Sequence, residues 1–229
     1  MSKTVYDISG ADIAPNLPVD EIENERQTLF RFVVDRSGSM DQYAREMEYF
    51  LGVQKEALGE SKQEDEILMG LTLFDDNIDH SGYRLIEDFP TDYSVCGRTA
   101  LYDAVIEAAD GLYMGDGTGY MEVLQQQGVK TKACFFVFSD GYDNVSRAGV
   151  ANAKAAIERL QNYEIIVAFV EFGPDAGGVA RQLGVKGENI INTTADKHAL
   201  RQLANVVSKS ALSFSASAAA GQSNNAFFV

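Results

Sequence analysis

Basic residues, cysteines, histidines and long apolar runs are all scarce in this sequence. Lysine and arginine number 19 against 34 aspartates and glutamates, which gives a formal net charge of −15. Binding to nucleic acid or to an anionic membrane depends on basic groups, so this charge argues against both classes of partner. The only two histidines, His80 and His198, form no catalytic pattern and are expected at the surface.

The small number of cysteines and the shortness of the apolar runs bear on the compartment. Cys134 lies within an apolar stretch, where a small buried thiol is ordinary, and Cys96 is the only other cysteine. The first fifteen residues lack the apolar core of a signal peptide, and nowhere do about 18 apolar residues run together. We therefore expect a reduced, cytoplasmic protein that is neither exported nor membrane-spanning.

What the sequence does contain is a repeated alternation of strand and helix patterns. The hydrophobic fraction of 45% in 229 residues is enough for one α/β domain. The pattern predicts a doubly wound, Rossmann-like sheet with helices on both faces. Strands are predicted at residues 29–34, 66–74, 82–89, 131–139, 164–171 and 189–191. Helices are predicted at residues 42–58, 100–113, 147–161, 177–183 and 197–211, with a further short helix that ends at about residue 127.

The domain is predicted to span residues 29–212, with a tail on each side. Residues 1–28 are polar and acidic, which indicates an irregular lead-in. Residues 213–229 are rich in serine, alanine, glycine and asparagine and are predicted to be flexible. That tail closes on Phe227, Phe228 and Val229, an apolar end that could dock onto a partner or a second copy of the chain.

The first predicted strand ends in a cluster of oxygen-bearing side chains. The segment LFRFVVDRSGSM (residues 29–40) runs from β-prone apolar residues into Asp35, Ser37 and Ser39. Gly38 lets the backbone turn tightly, so the three side chains can point into one small volume at the carboxyl edge of the sheet. A group of hard oxygen ligands of this kind is typical of a site for a divalent cation.

Two further residues can reach the same edge. Asp140 directly follows the buried strand at 131–139, and Thr99 lies in a loop at the start of a predicted helix. Local explanations stay open for each piece, because Ser39 and Thr99 could cap the helices that they precede and Asp140 could belong to a turn. In particular, residues 39–42 fit the capping-box pattern at the start of the first helix.

Taken together, these residues resemble the von Willebrand factor A (vWA) domain family. Its metal-ion-dependent adhesion site (MIDAS) is written D-x-S-x-S, then a threonine in a loop, then an aspartate after the fourth strand. The five matching residues are Asp35, Ser37, Ser39, Thr99 and Asp140. The resemblance covers about residues 28–212 and implies a mostly parallel central sheet with one antiparallel edge strand, for which residues 82–89 are the candidate.

The resemblance also implies a function. It makes Ser37, Ser39 and Thr99 direct ligands of a divalent cation, with Asp35 and Asp140 acting directly or through water. Mg²⁺ is the expected ion, with Mn²⁺ or Ca²⁺ as alternatives, because thiolate and imidazole ligands are missing from the set. The family uses such a site to bind an Asp or Glu carboxylate of a protein partner. We therefore expect a binding module rather than an enzyme, acting on a partner whose remaining surface is neutral or basic.

Three other interpretations of the sequence stay open. A haloacid-dehalogenase-like, Mg²⁺-dependent phosphatase also places an aspartate after the first strand, but Ser37 stands where its second carboxylate belongs. Asp75, Asn77 and Asp79 match the start of an EF-hand loop, although His80 replaces the required glycine. The third alternative is a structural protein that self-assembles through its C-terminal tail.

Among vWA proteins, the chain resembles the short, stand-alone bacterial type associated with tellurium resistance and stress response. That resemblance implies an adaptor or scaffold that works with other proteins. Asp76, Asp79, Asp103 and Asp143 are expected near the rim of the metal site, where they would add to its negative field.

Overall fold

A single six-stranded sheet forms the centre of the molecule. The computed structural model describes residues 16–18, 22, 25–60, 67–173, 178–193 and 197–219, with side chains in the last segment described for residues 202–216. The strand order is β3-β2-β1-β4-β5-β6, and every neighbouring pair is parallel except β2 and β3. The strands are β1 (Arg26–Asp35), β2 (Ile67–Phe74), β3 (Ile78–Leu85), β4 (Lys130–Ser139), β5 (Ile166–Phe172) and β6 (Ile190–Thr193). This confirms the predicted mostly parallel sheet with one antiparallel edge strand.

Helices cover both faces of the sheet and follow the predicted alternation. They are α1 (Ala44–Gly59), α2 (Leu101–Leu112), α3 (Tyr120–Gln126), α4 (Val150–Asn162), α5 (Val179–Gln182) and α6 (Lys197–Ala219). Short 3₁₀ helices occupy Gly38–Tyr43, Ile86–Asp88 and Gly187–Asn189. No helix within the described ranges combines the length and the apolar character needed to cross a bilayer.

The core consists of two apolar layers, one on each face of the sheet. Leu29 and Val33 of β1 face a layer that includes α2, α3, α4 and α5. Phe30, Phe32 and Val34 face the opposite layer, which is formed with α1 and α6. Because β1 is apolar on both faces, it lies in the middle of the sheet, and its end carries Asp35 to the centre of the carboxyl edge.

The start of the first helix differs from the prediction. Residues 39–42 do not form a capping box, because a 3₁₀ helix occupies Gly38–Tyr43 and α1 begins only at Ala44. Neither helix start has a side-chain cap. The Ser39 hydroxyl instead lies 3.1 Å from the Ser37 hydroxyl. The serine is therefore used by the loop and not by the helix.

The antiparallel edge strand begins earlier than predicted. It runs over Ile78–Leu85, and the predicted end at residues 86–89 is a 3₁₀ turn. The reason is the tightness of the preceding turn, in which Asp75 accepts a hydrogen bond from the Asn77 N–H at 2.7 Å. The structure therefore supports a turn, not an EF-hand loop, at this acidic segment.

Both predicted domain boundaries fall inside structured segments. Before β1, the Leu17 N–H donates to the Tyr83 carbonyl at 2.8 Å, so residues 16–18 contact the edge strand. At the other end, α6 continues through Ala219, and Phe214 is buried against Phe30 with ring centroids 6.0 Å apart. The predicted flexible tail therefore begins too early at residue 213. Residues 220–229, including the apolar end, lie outside the described part of the chain.

The expectation of a surface position for His80 was wrong. His80 is 8% exposed, and Arg31 of β1 donates to its Nδ1 at 2.9 Å. An arginine can only donate, so Nδ1 is the acceptor and Nε2 carries the proton toward Glu107, 3.2 Å away. Burial is the main reason why the pKa of His80 lies below its usual value. The side chain of His198 lies outside the described residues.

Candidate metal centre

Three loops meet at the carboxyl edge of the sheet. One follows β1 at residues 35–39, one precedes α2 at residues 96–99, and one follows β4 from residue 140. β1 and β4 are parallel neighbours with Val34 opposite Phe138, so Asp35 lies level with Ser139. The strand order therefore places the predicted aspartates at the ends of adjacent strands.

Asp35 is buried and held in a fixed orientation. Its side chain is 0% exposed, and one oxygen accepts a hydrogen bond from the Ser37 N–H at 2.8 Å. The other oxygen accepts one from the Ser139 hydroxyl at 2.7 Å. The Ser139 oxygen in turn accepts the N–H of Gly141 at 3.1 Å. This chain of bonds joins the loop after β1 to the loop after β4.

The two hydroxyls of the first loop lie side by side. Ser37 Oγ and Ser39 Oγ are 3.1 Å apart, with Ser37 buried and Ser39 exposed. Two oxygens at that separation can bind one small cation on adjacent coordination positions. The loop thus presents two adjacent hydroxyls, one from a buried serine and one from an exposed serine.

Thr99 is held between the other two loops. Its N–H donates to Asn144 Oδ1 at 3.0 Å, and its carbonyl accepts the Asn144 N–H at 3.0 Å. Two residues earlier, the Gly97 carbonyl accepts the N–H of Gly38 at 3.1 Å. Thr99 itself is 3% exposed, so its side chain is enclosed at the meeting point of the three loops.

Asp140 brings a second carboxylate to this edge, and one of its oxygens lacks a hydrogen-bond donor among the described residues. Its Oδ1 atom is buried and, among the described residues, accepts no hydrogen bond. A buried carboxylate oxygen without a donor is costly, and most such atoms in folded proteins are satisfied. This orphaned oxygen is what a cation at the site would satisfy.

The pKa of Asp35 also indicates a place for a cation. Burial raises the pKa of Asp35 to about 6, and the neighbouring charge of Asp140 adds to the rise, although hydrogen bonds from Ser139 and Ser37 oppose it. Within the described ranges, neither carboxylate forms an ion pair with a lysine or arginine. Two neighbouring acidic groups without a cationic partner fit a divalent ion between them.

The donor set suits a hard cation. Among the described residues, no three aspartates, glutamates, histidines or cysteines converge, so any metal here depends on hydroxyl oxygens as well. The structure brings the loops that carry all five predicted residues to one edge of the sheet. Their role as ligands stays a prediction.

Sequence reasoning missed the residues that hold the loops in place. Ser139 orients Asp35, Asn144 fixes Thr99, and the Tyr93 hydroxyl donates to the backbone carbonyl of Asp35. Only Ser139 had a usable signal, since it ends a buried strand directly before a predicted site residue. Asn144 and Tyr93 act across long stretches of sequence that carry no local pattern.

The four aspartates expected at the rim form hydrogen bonds or ion pairs within the loops. Asp103 accepts the N–H groups of Arg147 and Ala148 at 2.8 and 2.9 Å. Asp143 accepts the hydroxyl of Ser146. The other two form ion pairs, Asp76 with Arg98 and Asp79 with Arg36.

A cleft of about 850 Å³ lies beside the candidate metal centre. The residues on either side of Thr99 contribute to its wall, so the cleft reaches the edge of the site. Its charged lining has more acidic than basic groups: Asp76, Asp79, Asp103 and Glu107 against Arg98 and Arg147.

Comparison with known proteins gives a fold and no close relative. No protein-family model and no curated protein sequence matches the chain significantly. The chain is similar in structure to the pilus adhesin SpaC of Lactobacillus rhamnosus GG in its open conformation, with a TM-score of 0.63 and 10% identity. That match covers 87% of this chain but only 31% of the adhesin, so the chain spans about a third of that protein.

Two other neighbours were solved with metal. Manganese-loaded TRAP protein of Plasmodium vivax matches with a TM-score of 0.53 and 16% identity, over 78% of this chain and 72% of its own. Proximal thread matrix protein 1 of the mussel byssus, with a zinc-occupied MIDAS motif, matches with a TM-score of 0.58 and 15% identity. That match covers 82% of this chain and 46% of the mussel protein. At these identities the likeness shows the fold, which is that of vWA domains.

Proposed function

We propose that this chain is a metal-dependent protein-binding module. The observation that carries the proposal is the presence of two neighbouring acidic side chains at one edge of the sheet. Asp35 is buried, and Asp140 has an Oδ1 without a hydrogen-bond donor among the described residues. The adjacent hydroxyls of Ser37 and Ser39 supply neutral oxygens beside these acids. The vWA fold supports this proposal, because solved neighbours with the same fold carry manganese or a zinc-occupied MIDAS motif.

The five residues of the proposed site have two kinds of role. Ser37, Ser39 and Thr99 bind the cation directly through their hydroxyls, while Asp35 and Asp140 bind it directly or through water. Because the direct ligands are neutral, the ion keeps much of its positive charge and attracts an anionic group at the open coordination position. The proposed anionic group is an Asp or Glu carboxylate of a partner protein.

Mg²⁺ is the proposed ion because it favours hard oxygen ligands and keeps some of its waters. Mn²⁺ and Ca²⁺ share this preference for oxygen and are the first alternatives. The zinc-occupied motif of the mussel protein means that Zn²⁺ belongs in any experimental panel.

The neighbouring cleft supports a partner with a basic surface around its carboxylate. The cleft carries four acidic and two basic groups next to the metal centre. A partner that placed its carboxylate on the ion could direct a basic side chain toward Glu107, which is 40% exposed in the cleft. Opposite charges at these two points would fix the orientation of the partner.

We further propose an adaptor or scaffold role without catalysis, in a reducing compartment such as the cytoplasm. Cys96 and Cys134 are both free thiols, which suits that compartment. A bacterial protein of the stress-response or tellurium-resistance type is the proposed biological setting. This last step is by analogy with other vWA proteins.

Metal binding is tested by calorimetric titration of the chain with Mg²⁺, Mn²⁺ and Zn²⁺. The wild type is expected to bind with a saturable signal, and Asp140→Asn is expected to lose most of it. Asp92→Asn is the matched control, because Asp92 is an exposed loop residue with the same chemistry. Equal binding by wild type and Asp140→Asn would refute the proposed site.

Partner binding is tested by capture from the source cells on the immobilised chain. The expected partner is retained in Mg²⁺, released by chelator, and absent from a column carrying Asp140→Asn. Glu107→Gln is expected to weaken its retention while leaving Mg²⁺ affinity unchanged. A partner that resists chelator and binds the Asp140 variant equally would contradict the proposal.

A further inference from the structure

Asp75 lies beside the candidate metal centre, although it is not one of the predicted ligands. It directly follows β2 and is 1% exposed. One carboxylate oxygen accepts the Asn77 N–H at 2.7 Å and so forms the turn before β3. The other oxygen is directed to the loops of the candidate site.

Two of those loops donate to the same oxygen of Asp75. Arg36 Nε, from the loop after β1, lies 2.8 Å from Asp75 Oδ2. Cys96 Sγ, from the loop before α2, also lies 2.8 Å from that oxygen. The backbone carbonyl of Asp75 accepts the Ala100 N–H at 3.0 Å. Asp75 therefore holds the segment that contains Thr99 at both of its ends.

The two loops also touch each other directly, and the contact leaves little space. The Cys96 N–H donates to the Arg36 carbonyl at 2.9 Å, and the Gly38 N–H donates to the Gly97 carbonyl at 3.1 Å. Gly97 has a φ of +67°, and a Cβ at this position would lie 3.2 Å from the Cβ of Asp75. The loop before α2 is thus pressed against Asp75 while it contacts the loop after β1.

We propose that Asp75 is a positioning residue of the metal site, which sets the place of Thr99 relative to Ser37 and Ser39. This inference rests on the proposed function, since it concerns the same ion. Mg²⁺ tolerates little departure from octahedral geometry, so a loop that shifts its hydroxyl weakens binding. Groups that orient metal ligands typically contribute 10- to 100-fold in affinity, by order of magnitude.

Asp75→Asn is a selective perturbation of this arrangement. The amide oxygen can still accept the Asn77 N–H and keep the turn. The amide nitrogen, however, then faces two donors, Arg36 Nε and Cys96 Sγ, and cannot accept from either. The variant therefore loosens the two loops and leaves the turn in place.

The decisive experiment is a double-mutant cycle in Mg²⁺ affinity, measured by calorimetry. Asp75→Asn alone is expected to weaken binding about tenfold or more. If Asp75 acts through Thr99, then adding Asp75→Asn to Thr99→Ala weakens binding by less than about twofold further. Independent, multiplicative effects of the two substitutions, or unchanged affinity in Asp75→Asn, would overturn the proposal.

Glu122→Gln is the control for a general loss of stability. Glu122 is also a buried acid that accepts backbone N–H groups, from Met114, Gly115, Gly117 and Gly119 at 2.8–3.1 Å. It lies in the first turn of α3, and its bonds hold the loop between α2 and α3, which contains none of the candidate ligands. This variant is expected to melt at a lower temperature and to bind Mg²⁺ like the wild type.

A milder pair of variants covers the case in which Asp75→Asn fails to fold. Cys96→Ala removes one donor to Asp75 and is expected to weaken Mg²⁺ binding about fivefold, the value of one hydrogen bond. Cys96→Ser keeps a donor at the same place and is expected to retain the affinity of the wild type. Equal affinities of the alanine and serine variants would contradict the positioning role.

Amide hydrogen exchange separates this proposal from the proposed function. A wild type that binds no divalent cation refutes the metal site itself. The positioning role is then judged by the Gly38 and Cys96 amides, whose bonds join the two loops. Faster exchange of both amides in metal-free Asp75→Asn supports it, and unchanged exchange refutes it.

Discussion

Replacing Asp35 by asparagine should make the metal-free protein more stable while destroying its response to metal. The substitution removes a buried negative charge but keeps the shape of the side chain. Asparagine can accept the Ser37 N–H through its oxygen and donate to Ser139 through its nitrogen, so both hydrogen-bonded contacts have a counterpart.

The magnitude follows from the pKa of the buried group. Burial is the main reason why the pKa of Asp35 rises from 3.8 to about 6 in the folded chain. A rise of this size corresponds to about 3 kcal/mol between the folded and unfolded states. The folded pKa lies above the unfolded one, so this group favours folding below about pH 4. That contribution is lost as the pH rises through about 6.

At pH 7 the wild type therefore carries the full cost of the ionised Asp35, and Asp35→Asn does not. We expect the free energy of unfolding in chelator to increase in the variant by up to about 3 kcal/mol at pH 7. At pH 4 the two proteins should differ much less. Urea denaturation at both pH values measures the difference, with Asp92→Asn as an exposed control that should change nothing.

Adding Mg²⁺ should narrow the difference in the free energy of unfolding between the two proteins. At a Mg²⁺ concentration ten times the dissociation constant, the wild type gains about 1.4 kcal/mol, and Asp35→Asn gains none. A variant less stable than the wild type in chelator at pH 7 would refute the argument, since Asp35 would then be stabilised by partners within the chain. A variant that still responds to Mg²⁺ would show that the ion binds elsewhere.

Four further predictions follow from single contacts. Glu122→Gln should lower the free energy of unfolding by about 1–3 kcal/mol in urea melts, because a carboxylate with four N–H donors is lost. Gly97→Ala should weaken Mg²⁺ binding in calorimetry, because its Cβ would lie 2.9 Å from Asp76 Oδ1 at a φ of +67°. His80→Asn should reduce the loss of stability on acidification below about pH 6.5, because the lowered pKa of the wild-type ring makes the unfolded state bind the proton first. Truncation after residue 212, which removes buried Phe214, should cost about 2–4 kcal/mol in thermal melts.

The strands could be predicted because their patterns are local. β1, β2, β4 and β5 are near-continuous apolar runs, which is what a strand covered by helices on both faces requires. The edge strand β3 was placed about four residues late, because its sequence contains Asp79, His80 and Ser81. Buried Arg31 of β1 donates to His80 and to the Ser81 carbonyl, and Asp79 pairs with Arg36. No local pattern reveals these partners.

The helix ends show the same limit. Ser39 looked like a cap because caps and metal ligands are drawn from the same small set of hydroxyl and carboxylate residues. The structure pairs its hydroxyl with that of Ser37 instead. At the other end, the serine- and alanine-rich composition after residue 212 predicts a flexible chain, but α6 continues through Ala219 and buries Phe214 and Ser215.

The candidate ligands and the residues that hold them differ in what the sequence can reveal. A ligand such as Asp35 must be of a particular residue type at a particular point of the chain, so its spacing is visible. Asp75 has an equally specific task, but its donors Arg36 and Cys96 come from 39 and 21 residues away. In the sequence it therefore looks like an ordinary turn residue.

The cost of the buried acids gives a physical reason for the whole arrangement. A domain that needed only stability would gain from a neutral residue at position 35, because the Asp35 charge is buried beside that of Asp140. The chain instead hydrogen-bonds this charge to the Ser37 N–H and the Ser139 hydroxyl. It also leaves one oxygen of Asp140 without a hydrogen-bond donor among the described residues and holds the adjoining loops through Asp75. An arrangement that is unfavourable alone becomes favourable when a divalent cation is shared between the acids. Binding of the ion should therefore stabilise this edge of the sheet in the wild-type chain, which is destabilised by its buried acids when the ion is removed.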